Sequence, residues 1–182
     1  MINNEGFCIQ NLKYSNENIS HIYFFKYQGT IRKMILDYKF NEKSYLYKTI
    51  INFLLKNKKI FQFLKSYDTM IPVPISKQRK KERGYNQSLL IAKEISIILK
   101  VPIQNNCLYK TKNNNKQSTL SKDEREKNVQ GVYELRNTEL IKNKSILIID
   151  DIYTTGNTIK ECCKILQQAK IKKIGVLTIA RD

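Results

Sequence analysis

Two aspartates, Asp150 and Asp151, follow directly on the apolar run Ile146-Leu147-Ile148-Ile149, and Thr154-Thr155-Gly156-Asn157-Thr158 comes just after them at the head of a helical period. That order describes a buried strand ending in carboxylates, a turn at Gly156, and a helix N-terminus flanked by three threonine hydroxyls. Free backbone N–H groups and the helix dipole bind phosphate at such a place. The carboxyl ends of parallel strands are where ligand crevices open. Carboxylates next to a phosphate site repel a bare phosphate, but they suit sugar hydroxyls, or a magnesium ion shared with a second phosphate group of the same ligand. A lone Asp at a strand end is ordinarily turn or cap chemistry. Here one pattern running from 146 to 158 has to be explained at once.

A second set of charges lies at Lys77, Arg79, Lys80, Lys81 and Arg83, after Pro72-Val73-Pro74 and Ser76 and before Tyr85. A charge run is usually a solvated face. An aromatic residue beside it adds a single-strand nucleic-acid reading, since basic grooves with stacking side chains track such strands. Rival chemistries lack their residues. Glycines at 6, 29, 84, 131, 156 and 175 form neither G-x-G-x-x-G nor a Walker-type loop. One histidine, His21, is too few for histidine-ligated metals and argues against a triad hydrolase. Cys8, Cys107, Cys162 and Cys163 contain no C-x-x-C pair, so they read as reduced structural thiols.

The elements that must position these residues can be read from periodicity. Ile31, Ile35 and Tyr38 recur at helical spacing over residues 30 to 40, and Tyr47, Ile50, Ile51, Leu54, Leu55 and Leu64 continue the pattern over 44 to 65. From Asp68 the pattern becomes short apolar runs between helical periods. Strands are predicted over 69–73, 104–109, 132–135, 145–149 and 174–179, and helices over 87–99 and 158–169, with a polar stretch to about 128. Such alternation implies an α/β fold, a mainly parallel sheet with helices on its faces. The unbroken run at 146–149 agrees, because a strand buried on both faces cannot alternate polar and apolar residues. Tyr23, Phe24, Phe25 and Tyr27 read as strand or core packing. Residues 1–66 are expected to form a mainly helical extension packed on a core of 67–182. Lys110 to Gln117, eight residues with no large apolar side chain, reads as a mobile loop.

A chain of 182 residues can bury a sizeable core without staples. The longest apolar run, Met70 to Ile75, is far shorter than the roughly twenty residues of a membrane span. The sequence begins without the basic start and apolar stretch of a secretory signal, so a cytoplasmic location is expected. Lys plus Arg number 33 against 16 Asp plus Glu, a formal charge of +17. A genome rich in A and T explains lysine over arginine. It does not explain twice as many bases as acids, which points to phosphate-bearing partners.

Ile-Leu-Ile-Ile-Asp-Asp-Ile-Tyr-Thr-Thr-Gly-Asn-Thr, residues 146–158, resembles the phosphoribosyl pyrophosphate (PRPP) signature of type I phosphoribosyltransferases along its whole length. Two further stretches are similar to those that mark ComF-type competence proteins. One is Pro72-Val73-Pro74 with Arg79 to Gln87; the other is Gln117 to Gly131, with Leu120-Ser121, Glu124-Arg125 and Asn128-Val129. Tyr27 to Arg32 and Lys39-Phe40 match that family's N-terminal helical region. Many members begin with a four-cysteine zinc ribbon, and only Cys8 stands in that region here.

The resemblance implies a type I phosphoribosyltransferase fold and a set of roles. Asp150 and Asp151 would hold the ribose hydroxyls, directly or through magnesium and water, and Thr154, Thr155, Gly156, Asn157 and Thr158 would cradle the 5′-phosphate. Ser76, Lys77, Arg79 and Arg83 would receive the pyrophosphate, with Mg²⁺ carried by PRPP rather than ligated directly by protein. The Lys110–Lys127 segment would close as a lid, with Arg125 reaching inward from a short helix begun by a Ser121-to-Glu124 capping box. Oxopurine-specific relatives carry an acidic residue at the position of Thr154, so this threonine argues against hypoxanthine or guanine as acceptor. The implied function is PRPP binding in DNA uptake and natural transformation, with phosphoribosyl transfer to an unnamed acceptor and competence-machinery proteins as partners. The alternative is a PRPP or nucleotide sensor or scaffold that binds single-stranded DNA without turnover. In either case the DNA track would comprise Lys77, Arg79, Lys80, Lys81, Arg83 and Tyr85.

Overall fold

The computed structural model describes residues 7–14, 17–40, 45–111 and 131–182. Strand β6 (Ser145–Tyr153) runs through the middle of the molecule, with its first five residues buried. Ile146 and Ile148 point into one apolar cluster and Leu147 and Ile149 into another, so both faces of the strand are covered. This double coverage is what an unbroken apolar strand requires. Around β6 the order is β1 (Cys8–Tyr14), β2 (Glu17–Lys26), β7 (Lys173–Arg181), β6, β3 (Thr69–Pro72). The β2–β7, β7–β6 and β6–β3 pairs are parallel; β1 is antiparallel to β2. A small antiparallel pair, β4 (Leu108–Lys110) and β5 (Tyr133–Leu135), lies apart from this sheet.

One face of the sheet is covered by α1 (Gly29–Phe40), α2 (Leu46–Leu54), α3 (Lys58–Lys65) and α5 (Gln87–Leu99), whose Ile35, Ile51, Ile60, Leu64, Ile91 and Ile95 share a cluster with Leu147 and Leu177. The other face is covered by α6 (Asn157–Leu166) and the β4–β5 pair, through Ile159, Cys162, Leu166, Leu108 and Tyr133. Helix α4 (Lys77–Arg83) buries none of its residues. The expected α/β class with a mainly parallel sheet is therefore the architecture that forms.

Three expectations change. Residues 8–14 and 17–26 are not part of a helical extension on a separate core: they are two strands of the central sheet, with β2 in register with β7 from Ser20↔Gly175 to Lys26↔Arg181. The β-branched and aromatic residues Ile19, Ile22, Tyr23 and Phe24 are buried there, as such residues are between two covered faces. The helical reading holds for the elements between Gly29 and Lys65, but the second period is two helices. Asn57 accepts hydrogen bonds from the Lys59 and Ile60 amides and so starts α3. The strand placed over 104–109 shrinks to β4, and Ile103 makes only a single bridge to Met70. Among the described residues no helix is long and apolar enough to cross a membrane.

Candidate functional site

Strand β3 stops pairing with β6 at Pro72↔Ile149, one residue before the first aspartate. Beyond that point β6 keeps only its β7 partner, through Asp150↔Thr178, Ile152↔Ala180 and Tyr153↔Arg181, and the sheet opens on one side. A cavity of about 400 Å³ occupies this opening, within the range of small-molecule sites. Its wall is built from the carboxyl ends of all four parallel strands: Tyr27 after β2, Val73-Pro74-Ile75 after β3, Asp150 to Tyr153 in β6, and Asp182 after β7. Parallel strands place ligand crevices there because only at that end do their following loops and helix N-termini converge.

Thr154, Thr155, Gly156, Asn157 and Thr158 all line the cavity. Gly156 has φ +78° and caps α6 with no side-chain hydrogen bond, so the first turn of that helix is not closed off by its own cap. A Cβ at Gly156 would run into the Tyr153 hydroxyl, with Tyr14 also in contact. Beneath the loop these two hydroxyls share a 2.8 Å hydrogen bond, and burial pushes the Tyr14 phenol well up from its usual range. Arg181 lies over the Tyr153 ring at 5.2 Å, and His21 packs against that ring at 4.7 Å. His21 is fully buried, bonded to Thr178 and Gln10, and lowered to about 3 by burial first and by Arg181 second. The only histidine of the chain is thus a neutral part of the support under the loop.

The two carboxylates differ in surroundings. Asp150 Oδ1 accepts from the Ser88 hydroxyl at 2.9 Å and from the Asp151 amide at 2.9 Å. Enclosure, and then the neighbouring Asp151 charge, raise Asp150 to about 7 against the pull of Lys39. Asp151 is 8% exposed, and its Oδ2 lies 2.9 Å from Lys39 Nζ.

The basic residues separate by helical position. Arg79 and Arg83, four apart on α4, line the cavity, while Lys77, Lys80 and Lys81 are exposed on the other side of the helix. Ser76 is buried as the α4 cap, its oxygen accepting from the Arg79 amide at 3.3 Å. Burial chiefly lowers Arg83, and its Nη1 donates to Gln87 Oε1 at 3.2 Å. Gln87 Nε2 is left buried with no hydrogen-bond partner among the described residues. Tyr85 is not presented as a stacking platform: its ring packs 5.9 Å from that of Tyr38 and its hydroxyl donates to the Tyr38 carbonyl. Lys110 lines the cavity over the Tyr133 ring and is lowered to about 8, by burial first and by Arg79 second. Arg125, the Ser121-to-Glu124 capping box and most of the expected lid lie outside the described residues.

Sequence reasoning missed Tyr27, Arg32, Leu36 and Lys39, which α1 and the turn before it bring to the cavity. No spacing links them to the aspartates. Their helical period marks the buried face through Ile35 and Tyr38, and says nothing of what the neighbouring residue touches.

The phosphoribosyl transferase domain family matches residues 86–182. Competence protein F of Haemophilus influenzae is 30% identical over 155 residues, 81% of this chain and 66% of that protein. Competence protein ComFC of Streptococcus pneumoniae is 30% identical over 176 residues, 90% of this chain and 69% of that one. The chain thus spans about two thirds of the length of these two relatives. A crystal structure of adenine phosphoribosyltransferase from Leishmania tarentolae aligns over 96% of this chain and 95% of its own with a TM-score of 0.51 at 10% identity, a likeness of fold alone. With the sheet order, the carboxylate pair and the loop over α6, these matches show that the chain has the type I phosphoribosyltransferase fold and belongs to the ComF-type competence proteins of the phosphoribosyl transferase domain family.

Proposed function

We propose that this protein binds PRPP together with magnesium and acts in DNA uptake, with the capacity to transfer the phosphoribosyl group. The observation that carries the reading is the meeting, in one cavity, of a phosphate-loop geometry, a carboxylate pair and two arginines on a third wall. In it the 5′-phosphate lies on the amides and hydroxyls of Thr154 to Thr158, Asp150 and Asp151 accept from the ribose hydroxyls, and Arg79, Arg83 and Lys110 face the pyrophosphate. Ser76 and Lys77 take no direct part, since one is a helix cap and the other points to solvent.

The carboxylates fit a magnesium ion carried by the ligand better than one bound beforehand. One oxygen of each is already engaged by Ser88 or Lys39, and no group of three or more metal-binding side chains exists among the described residues. Bound in that way, magnesium neutralises charge on the leaving pyrophosphate. The protein's share is electrostatic and positional. Fixed guanidinium and amide donors stabilise developing negative charge better than water, which must reorganise.

Pyrophosphate release from Mg·PRPP with a panel of bases, nucleosides and oligonucleotides tests transfer. Turnover above the solvent rate that disappears with Asp150→Asn plus Asp151→Asn supports it. Binding without turnover for any acceptor leaves a sensor or scaffold. The DNA-uptake role takes its support from the names of the two competence relatives.

A further inference from the structure

Helix α1 lies outside the segment that matches the phosphoribosyl transferase domain, yet it sends a charge into the cavity. Lys39, in its last turn, sets Nζ 2.9 Å from Asp151 Oδ2, with 17% of one side chain and 11% of the other exposed. A pair this enclosed is not screened as surface pairs are, and separating it leaves a charge without a partner. The helix that carries it is fixed. Ile35 and Tyr38 are buried, the Tyr38 hydroxyl donates to the Gln87 carbonyl at 2.8 Å, and Tyr85 donates to the Tyr38 carbonyl.

Adjacent carboxylates beside a polyphosphate subsite need a counter-charge. A divalent ion can supply it, and so can a tethered ammonium. We infer that Lys39 is a positioning residue of this site: it holds Asp151 in place and supplies there the charge that a free metal ion would otherwise supply, so that the divalent ion enters with the pyrophosphate and not before it. The second half of this inference rests on the PRPP reading; the first half rests on the ion pair alone.

The test is a titration of the full chain with Mn²⁺, followed by the paramagnetic resonance signal of the free ion, without and with PRPP. The wild type should bind Mn²⁺ alone no better than millimolar, and should bind it readily once PRPP is present. Lys39→Met keeps the alkyl stem and removes the charge, so affinity for Mn²⁺ alone should rise about tenfold or more, while Lys39→Arg stays at the wild-type value. Micromolar binding of Mn²⁺ alone by the wild type overturns the inference. So does a folded Lys39→Met or Lys39→Gln protein with no gain. The wild-type titration can overturn the inference even if neither variant folds. A gain of Mn²⁺ affinity in Lys39→Met by a protein that ignores PRPP would keep the role of Lys39 and discard the PRPP reading.

Discussion

Asp150 is where ligand binding and stability oppose each other. Its ordinary value is 3.8 and the fold raises it to about 7, so between those values the folded protein keeps a proton that the unfolded chain has released. The stability this group contributes is present below pH 3.8 and is lost as the pH rises through about 7. Asp150→Asn should therefore stabilise the empty protein by at least about 1 kcal/mol above neutral pH and change little near pH 4; denaturant melts at the two pH values check it, and an equal effect at both would be contrary. Donors from the ligand favour the carboxylate, so Mg·PRPP binding at pH 6 should release a proton, read from the buffer dependence of the calorimetric heat. Gly156 makes a second claim at this scale. Its φ of +78° and the tyrosine hydroxyls beneath it mean that Gly156→Ala should cost about 1–3 kcal/mol and weaken PRPP binding together, whereas Gly131→Ala, strained by a φ of +62° but with open space around its Cβ, should cost stability and leave binding unchanged.

At the scale of elements, α1 lines the cavity through Arg32, Leu36 and Lys39, and sequence logic did not connect it to the site. Tyr38→Phe removes the hydrogen bond to the Gln87 carbonyl and should cost about 1 kcal/mol, or 2–4 °C in Tm for a chain of this size; an unchanged melting curve would mean that α1 is held by apolar packing alone. What the sequence made legible followed local rules. Helix α5 runs from Gln87 to Leu99 as expected because Asn86 caps it, its side chain accepting from the Ser88 amide, and its apolar period is unbroken. The buried part of β6 and the loop to α6 were legible because an apolar run, the acidic residues after it and a glycine turn each leave a mark in consecutive residues, whereas the continuation of the strand through Asp150 and Asp151 to Tyr153 was not, since it rests on pairing with β7. The place of β2 in the sheet was not, since its partner β7 lies at the other end of the chain and pairing leaves no local mark. The same holds for Lys39 and Asp151, which lie far apart in the chain and meet only once it is folded.

For the molecule as a whole, α4 turns one side to the cavity and another to solvent, which separates two uses of its charges. Lys77, Lys80 and Lys81 lie three and four residues apart and are exposed; Arg79 and Arg83 line the cavity. If single-stranded DNA follows this surface, changing the three lysines to Ala should reduce the slope of log K against log salt by about 2, at about 0.7 per phosphate contact, and leave Mg·PRPP binding intact. Fluorescence anisotropy checks it, and an equal loss from neutralising three lysines elsewhere, such as Lys142, Lys170 and Lys172, would show that the +17 charge acts without a track. The central claim is that the carboxyl ends of the parallel strands form a PRPP site, and isothermal titration with Mg·PRPP measures it most directly. The account predicts one saturable site per chain, lost with Asp150→Asn plus Asp151→Asn and with Arg79→Ala plus Arg83→Ala; absence of heat at any concentration, or binding that survives removal of both aspartates, would contradict it.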